Sequence, residues 1–223
     1  VAAAASAIQE QGLEALTIKS VADRLDCAVG TIYTYFPSKG ALIAAVQIEA
    51  IERLGAAFER CAARVEEITA QLDVDVAALA RVLGFGRTVV AAERVYPEES
   101  RLQQRLVDSA ADYGEAELAE VTQAAFTVLA LPEQLLREAA ALKVITKGDA
   151  FDRTVTWLAA VSGVLSMARL RGPGAEHLDA AALADRLHLD LLRGWGAQDA
   201  VLSTADAAVP TDVVATLLRE ETG

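Results

Sequence analysis

Residues 18–33 read IKSVADRLDCAVGTIY. The pattern predicts two short helices, over residues 18–25 and 29–35, joined by a three-residue turn at Asp26, Cys27 and Ala28. Thr17 is placed to cap the first helix, because its hydroxyl can accept an orphan amide of the opening turn. Two short helices that cross closely need a small residue at the crossing, and Ala22 supplies it. The turn needs a residue that tolerates the left-handed conformation, and Asp26 is one of the few non-glycine types that does. Val21 and Leu25 on the first helix, with Val29 and Ile32 on the second, are the expected inward anchors. That leaves Ala28, Gly30, Thr31, Tyr33 and Thr34 facing outward. Small, hydroxylated and aromatic groups suit a DNA groove, since they donate to phosphates or touch thymine methyls. Two crossed helices with such an outer face have the physics of a helix-turn-helix.

The flanks support a helical head. Residues 2–11 are rich in alanine and stop at Gly12. Phe36-Pro37 closes the second short helix, because proline disfavours helical geometry in the residue before it. Ser38 is a suitable cap for a long helix in which Leu42, Val46, Ala50, Leu54 and Phe58 recur every four residues, to about residue 70. Asp73 opens another helix, to about residue 92. A loop at Tyr96-Pro97 is expected to precede a helix over about 99–130, and Pro132 to begin a separate one reaching about 146. A helix over about 150–170 is expected to stop at the Arg171-Gly172-Pro173-Gly174 break. Asp179 caps a last major helix to about Trp195, and residues 196–223 read as a loose tail with one short helix near 211–221. Few stretches alternate apolar and polar residues in the manner of strands, so the expected fold class is all-α.

The net charge of −12 excludes a generic basic coat for nucleic acid. Residues 1–46 carry Lys19, Arg24 and Lys39 against Glu10, Glu14, Asp23 and Asp26, so nearly all of the excess lies in the remainder. DNA binding requires the few cations to face phosphate, with the acidic body further off than a Debye length of ~8 Å. Cys27 and Cys61 are far apart and form no CxxC pair, which argues against a disulfide framework, a zinc site or any other metal. The charge-free apolar stretch from Val155 to Ala168 is 14 residues, too short to span a bilayer. With no leader visible, no membrane partner and a cytoplasmic location are the expectations. The chain begins at Val1 rather than Met, so residues upstream are expected. Its 16 Arg against 4 Lys and its high alanine content suit a GC-rich bacterial genome.

Thr17-Ile18, Val21-Ala22 and the run GTIYTYFPSK over residues 30–39 resemble the signature of the tetracycline-repressor family. The similarity covers about residues 5–50. It implies an N-terminal three-helix DNA-binding domain over residues 1–46 and a C-terminal helical domain for ligand binding and dimerisation over residues 47–223. The implied function is a DNA-binding transcriptional regulator, a repressor released from its operator by a small molecule. Carried over by motif position, Thr31, Tyr33 and Thr34 face bases or nearby phosphates, while Tyr35 and Lys39 grip the backbone and Thr17 belongs to the same contact set. Two departures stand out: Asp26 where the family has a turn glycine, and Ala28 where it often has serine. The family's basic N-terminal arm is not visible. These departures and the acidic balance keep open an alternative of another class, an all-helical ligand-binding or enzymatic protein with a vestigial head.

A helix apolar around its circumference, such as Val155 to Ala168, is buried on all sides. In a body of this size that means one face on its own core and another on a partner. Together with the stripes of the last major helix, this resembles the family's dimerising pair. Leu158, Val161, Leu165, Leu187, Leu191 and Trp195 are the expected homodimer residues, pairing two heads on a pseudo-palindromic duplex operator. Phe58, Leu83, Phe85, Tyr113, Phe126 and Trp157 are candidates to line a pocket for an effector. Gly84 and Gly86 leave either room for a ligand or room for close packing. No cofactor is indicated. His177 and His188 are distant in sequence, and no phosphate loop or nucleophile elbow is present, so no enzyme site is expected.

Overall fold

A computed structural model describes residues 1–13, 15–108, 113–167 and 178–220. Every described element is a helix. They are α1 (Ala2–Gln11), α2 (Ile18–Arg24), α3 (Val29–Tyr35), α4 (Lys39–Thr69), α5 (Val74–Val95), α6 (Pro97–Asp108), α7 (Glu115–Ala141), α8 (Ala150–Met167), α9 (Ala180–Gly194), α10 (Asp199–Ala208) and α11 (Thr211–Glu220). The chain is all-α, as the sequence predicts. Glu14, the break at residues 171–174 and His177 lie outside the described residues.

Local rules account for the first four helices. Gly12, at φ 83°, ends α1 where side-chain-bearing residues pay a steric cost. Thr17 accepts from the Ser20 amide at 3.0 Å, and the Ser20 hydroxyl accepts in turn from the Thr17 amide at 3.1 Å, a reciprocal cap for α2. Asp26 takes up the left-handed conformation with φ 49°. Phe36 is extended before Pro37, and the Ser38 hydroxyl then accepts from the Ala41 amide at 2.9 Å to open α4.

The chain forms two compact units. The first comprises Val1–Leu54 and Pro97–Val128. Its core joins Ala4, Leu13, Leu16, Val21, Ala22, Ile32 and Leu42, and a smaller cluster joins Ala44, Ile51 and Val121. Residues 1–46 therefore share their unit with the first half of α4, α6 and the start of α7. The second unit comprises Gly55–Tyr96 and Leu129–Gly223. It is organised around α5, against which α9, α10 and α11 pack, with α8 on α9.

Three expectations are corrected. α6 starts at Pro97 itself, because the fixed φ of proline suits a first helical turn. α7 runs straight through Pro132. The missing amide costs one bond to the Val128 carbonyl, and the buried Leu136 and Ala139 hold the following turns in place. Residues 196–220 are not a loose tail. α10 and α11 bury Leu202, Ala205, Val214, Leu217 and Leu218. Among the described residues no single helix is long and apolar enough to cross a membrane.

Candidate nucleic-acid interface

α3 has one buried residue, Ile32, which pins it to the head. Everything else on it faces outward or sits at the margin. Thr31 and Thr34 are exposed, Tyr33 is 49 % exposed and Tyr35 is 75 % exposed. Lys39 is exposed at the first turn of α4, beside the Ser38 cap. Thr17 is exposed as well, with its hydroxyl engaged in the cap. The six candidate contact residues are thus all exposed, and Phe36 packs against the core of the head.

Two anchors expected to point inward do not. Leu25 is 53 % exposed and Val29 39 % exposed. Ala22 is fully buried at the crossing, and its carbonyl accepts from the Cys27 amide at 3.0 Å. That tight turn leaves Val21 and Ile32 to close the core and swings Leu25 and Val29 to its rim.

The cations of the head are not equivalent. Arg24 forms a two-pronged pair with Glu10, at 2.8 and 2.5 Å, and donates to the Ser6 hydroxyl at 3.0 Å. The hydrogen bonds from Arg24 hold the Glu10 carboxyl below its usual pKa, and those to Glu10 raise that of Arg24. This residue ties α2 to α1, a use that sequence spacing alone does not reveal. Lys19 and Lys39 form no ion pair among the described residues, which leaves them available for phosphate.

The candidate pocket residues divide between the units. Phe58, Leu83, Phe85 and Trp157 are buried in the second. Phe58, Phe85, Trp157 and His188 form an edge-on chain with each successive pair of ring centroids 5.7 Å apart. Trp157 Nε1 donates to His188 Nδ1 at 3.0 Å, so the imidazole proton resides on Nε2. Burial pushes the His188 pKa down to about 4, with the Gly86 backbone and Asp185 opposing and Arg87 reinforcing the shift. Nε2 itself meets no acceptor in good hydrogen-bond geometry.

The paired glycines serve this packing and not an open space. A Cβ on Gly84 would come within 2.8 Å of Val65, and one on Gly86 within 2.7 Å of His188. Tyr113 and Phe126 belong to the first unit. Tyr113 donates to the buried Gln47, whose amide donates to the Leu102 carbonyl at 2.7 Å, and Phe126 is 51 % exposed. The six residues expected at one pocket are therefore a packed aromatic core plus two residues elsewhere.

The second unit does have a hollow of about 280 Å³. Ala62, Ala63, Leu131 and Leu135 line it with Glu59, Glu66, Glu138 and Arg81. Glu59 to Glu66 and Leu131 to Glu138 each follow helical spacing, so α4 and α7 present one face apiece.

Of the expected dimer residues, Val161 and Leu165 are buried within the chain itself, on the face of α8 that also buries Trp157. Trp195 is half-buried, with the Arg153 guanidinium 5.2 Å from its ring centre. Leu158, Leu187 and Leu191 are half-buried. The exposed side of this helix pair carries small and apolar residues, Val155, Ala159, Ser162 and Gly163 on α8, with Leu183 on α9.

Arg87 is the polar residue that sequence reasoning missed. It is 3 % exposed. It donates to Asp185 at 2.7 Å, to the Val209 carbonyl at 2.6 Å and to the Asp206 carboxylate, linking α5 to α9 and to the end of α10. Burial opposes its charge, but the hydrogen bonds of Asp185 and Asp206 outweigh that and raise its pKa. The available signal was a single cation within the apolar run of residues 82–92.

Residues 1–46 match the family described as bacterial regulatory proteins, tetR family. The transcriptional repressor KstR of Mycobacterium tuberculosis is 32 % identical over 106 residues, covering 44 % of this chain and 48 % of that protein. KstR of Mycolicibacterium smegmatis is 45 % identical over 51 residues, covering 23 % and 25 %. The matches thus span from about a quarter to about half the length of these relatives. The crystal structure of RolR in complex with resorcinol shares the fold, with a TM-score of 0.61 at 19 % identity over 94 % of this chain and 92 % of the other.

Proposed function

We propose that this chain, which belongs by its N-terminal domain to the tetR family of bacterial regulatory proteins, is a DNA-binding transcription regulator, a repressor released from its operator by a small molecule. The observation that carries this reading is α3. It is fixed at its inner side by Ile32, and its outer side is unused by the fold. Such a helix can lie in a major groove, with Thr31, Tyr33 and Thr34 toward the bases and Tyr35 and Lys39 on the backbone. The N-terminus of α4 reinforces Lys39 at a phosphate.

The partner surface for a second copy is the α8 and α9 pair. Its small and apolar exposed side, from Val155 to Gly163 and at Leu183, allows close helix approach across a two-fold axis. A dimer places two recognition helices on half-sites about one helical turn, ~34 Å, apart or a multiple of that. The effector site is the hollow between α4, α5 and α7, whose carboxylates favour a neutral or cationic ligand. Any release of DNA is limited by the ligand's difference in affinity between the two states.

Selection of genomic fragments by the full chain tests this reading, followed by fluorescence polarisation on the enriched sequence. Enrichment of a pseudo-palindromic site supports it, and equal affinity for every duplex overturns it. Light scattering after size exclusion tests the dimer; a monomer at micromolar concentration excludes it.

A further inference from the structure

We infer that α3 reads its half-site chiefly through the C5-methyl groups of thymine, with Val29, Tyr33 and the Thr34 methyl as the reading surface. This rests on the proposal that α3 enters a major groove, and it names what the helix recognises there.

The inventory of side chains carries the first part. Guanine is read by Arg or Lys, adenine by Asn or Gln, and cytosine by Glu or Asp, each by directed hydrogen bonds, whereas a Ser or Thr hydroxyl bonds to several base edges and discriminates little. Residues 29–35 read VGTIYTY and contain none of these six types. Thymine alone offers a group that an apolar surface can read, its methyl.

Geometry carries the second part. Ile32 faces the core, so at 100° per residue Gly30 and Thr34 stand on the opposite crest of the helix. A Cβ added at Gly30 would meet nothing within 4 Å, so bare backbone can approach a base edge closely. The Thr34 hydroxyl turns back and donates to the Gly30 carbonyl at 3.1 Å. That commits the hydroxyl proton to its own helix and leaves the Thr34 methyl as the group that can discriminate.

Exposure carries the third. Val29 and Tyr33 lie one turn apart on α3, and both are exposed. Their exposure runs against the preference of such side chains for the core, and Tyr33 stands next to the crest where bases would lie. Lys19 and Lys39 lie outside α3, in positions for phosphate contacts, which orient a protein without specifying sequence.

The test replaces thymine by deoxyuridine, which removes the methyl and nothing else. A duplex enriched from a random pool by the full chain is resynthesised with deoxyuridine throughout both half-sites. Anisotropy titrations should show about three- to fourfold weaker binding for each contacted methyl, and about tenfold or more in total. In a Thr34→Ser or Val29→Ala chain of unchanged helical circular dichroism, the penalty at the contacted thymine should shrink, because the methyl has already lost its partner. An enriched duplex bound equally well with deoxyuridine overturns this inference alone. A pool that yields no enriched sequence overturns the regulator reading and this inference with it.

Discussion

α3 and α5 are both dominated by uncharged side chains, yet they occupy opposite extremes of the molecule. α3 buries one of its seven residues, and α5 buries fifteen of its twenty-two. Apolar character alone therefore says little about role. In α5 every face has a neighbour, and glycine appears where a methyl would collide with Val65 or His188. In α3 a single isoleucine secures the helix, and the rest is free to meet something outside the chain. The first arrangement stores stability and the second is available for recognition.

Four measurements probe that division. The largest effect is expected from Trp157→Ala, which empties the space between Phe85 and His188 and removes the donor to Nδ1. It should cost about 4 kcal/mol in urea unfolding while leaving the folded chain's DNA affinity unchanged. Arg87→Leu should cost about 3 kcal/mol, since it strands the Val209 carbonyl and leaves Asp185 and Asp206 facing each other without their cation.

Acid comes next. The folded pKa of His188, about 4, lies below the ordinary value of 6.5. The unfolded chain takes up the proton first as pH falls, so this stability is complete above about pH 6.5, declines toward pH 4, and is not lost further below. Between pH 7 and pH 5 the loss should be about 2 kcal/mol. A His188→Gln variant, which keeps an acceptor for Trp157, should lack that component of the pH dependence.

The smallest effect on stability belongs to Tyr33→Ala combined with Lys39→Ala, within about 0.5 kcal/mol of the parent. Operator binding should nevertheless disappear in a titration of that variant. A large fall in its unfolding midpoint would erase the contrast between the two helices.

The head was the most legible part of the sequence because its elements obey short-range rules. Gly12, Thr17, Asp26, Pro37 and Ser38 each act within a few residues, and they fix α1, α2, α3 and the start of α4. Where the outcome depended on distant partners, sequence reading fell short. Pro132 carries every local mark of a helix start, but the burial of Leu136 and Ala139 keeps α7 continuous. Residues 196–223 read as loose because their anchor, Arg87, is more than a hundred positions away. The pocket candidates meet a related limit. Aromatic residues can be identified in a sequence, but whether they enclose space or fill it depends on neighbours such as Gly86, and here they fill it. Val29 was misplaced because a helix of two turns gives too little periodicity to assign its margins.

The pairing of Arg24 with Glu10 has a consequence for life on a chromosome. It leaves Lys19 and Lys39 as the head's free cations among the described residues, hence four in the proposed dimer. The counterions displaced by these four contribute roughly −4 to the logarithmic salt slope. A contact with bulk DNA that rests on these four alone is weak, which leaves discrimination to the bases.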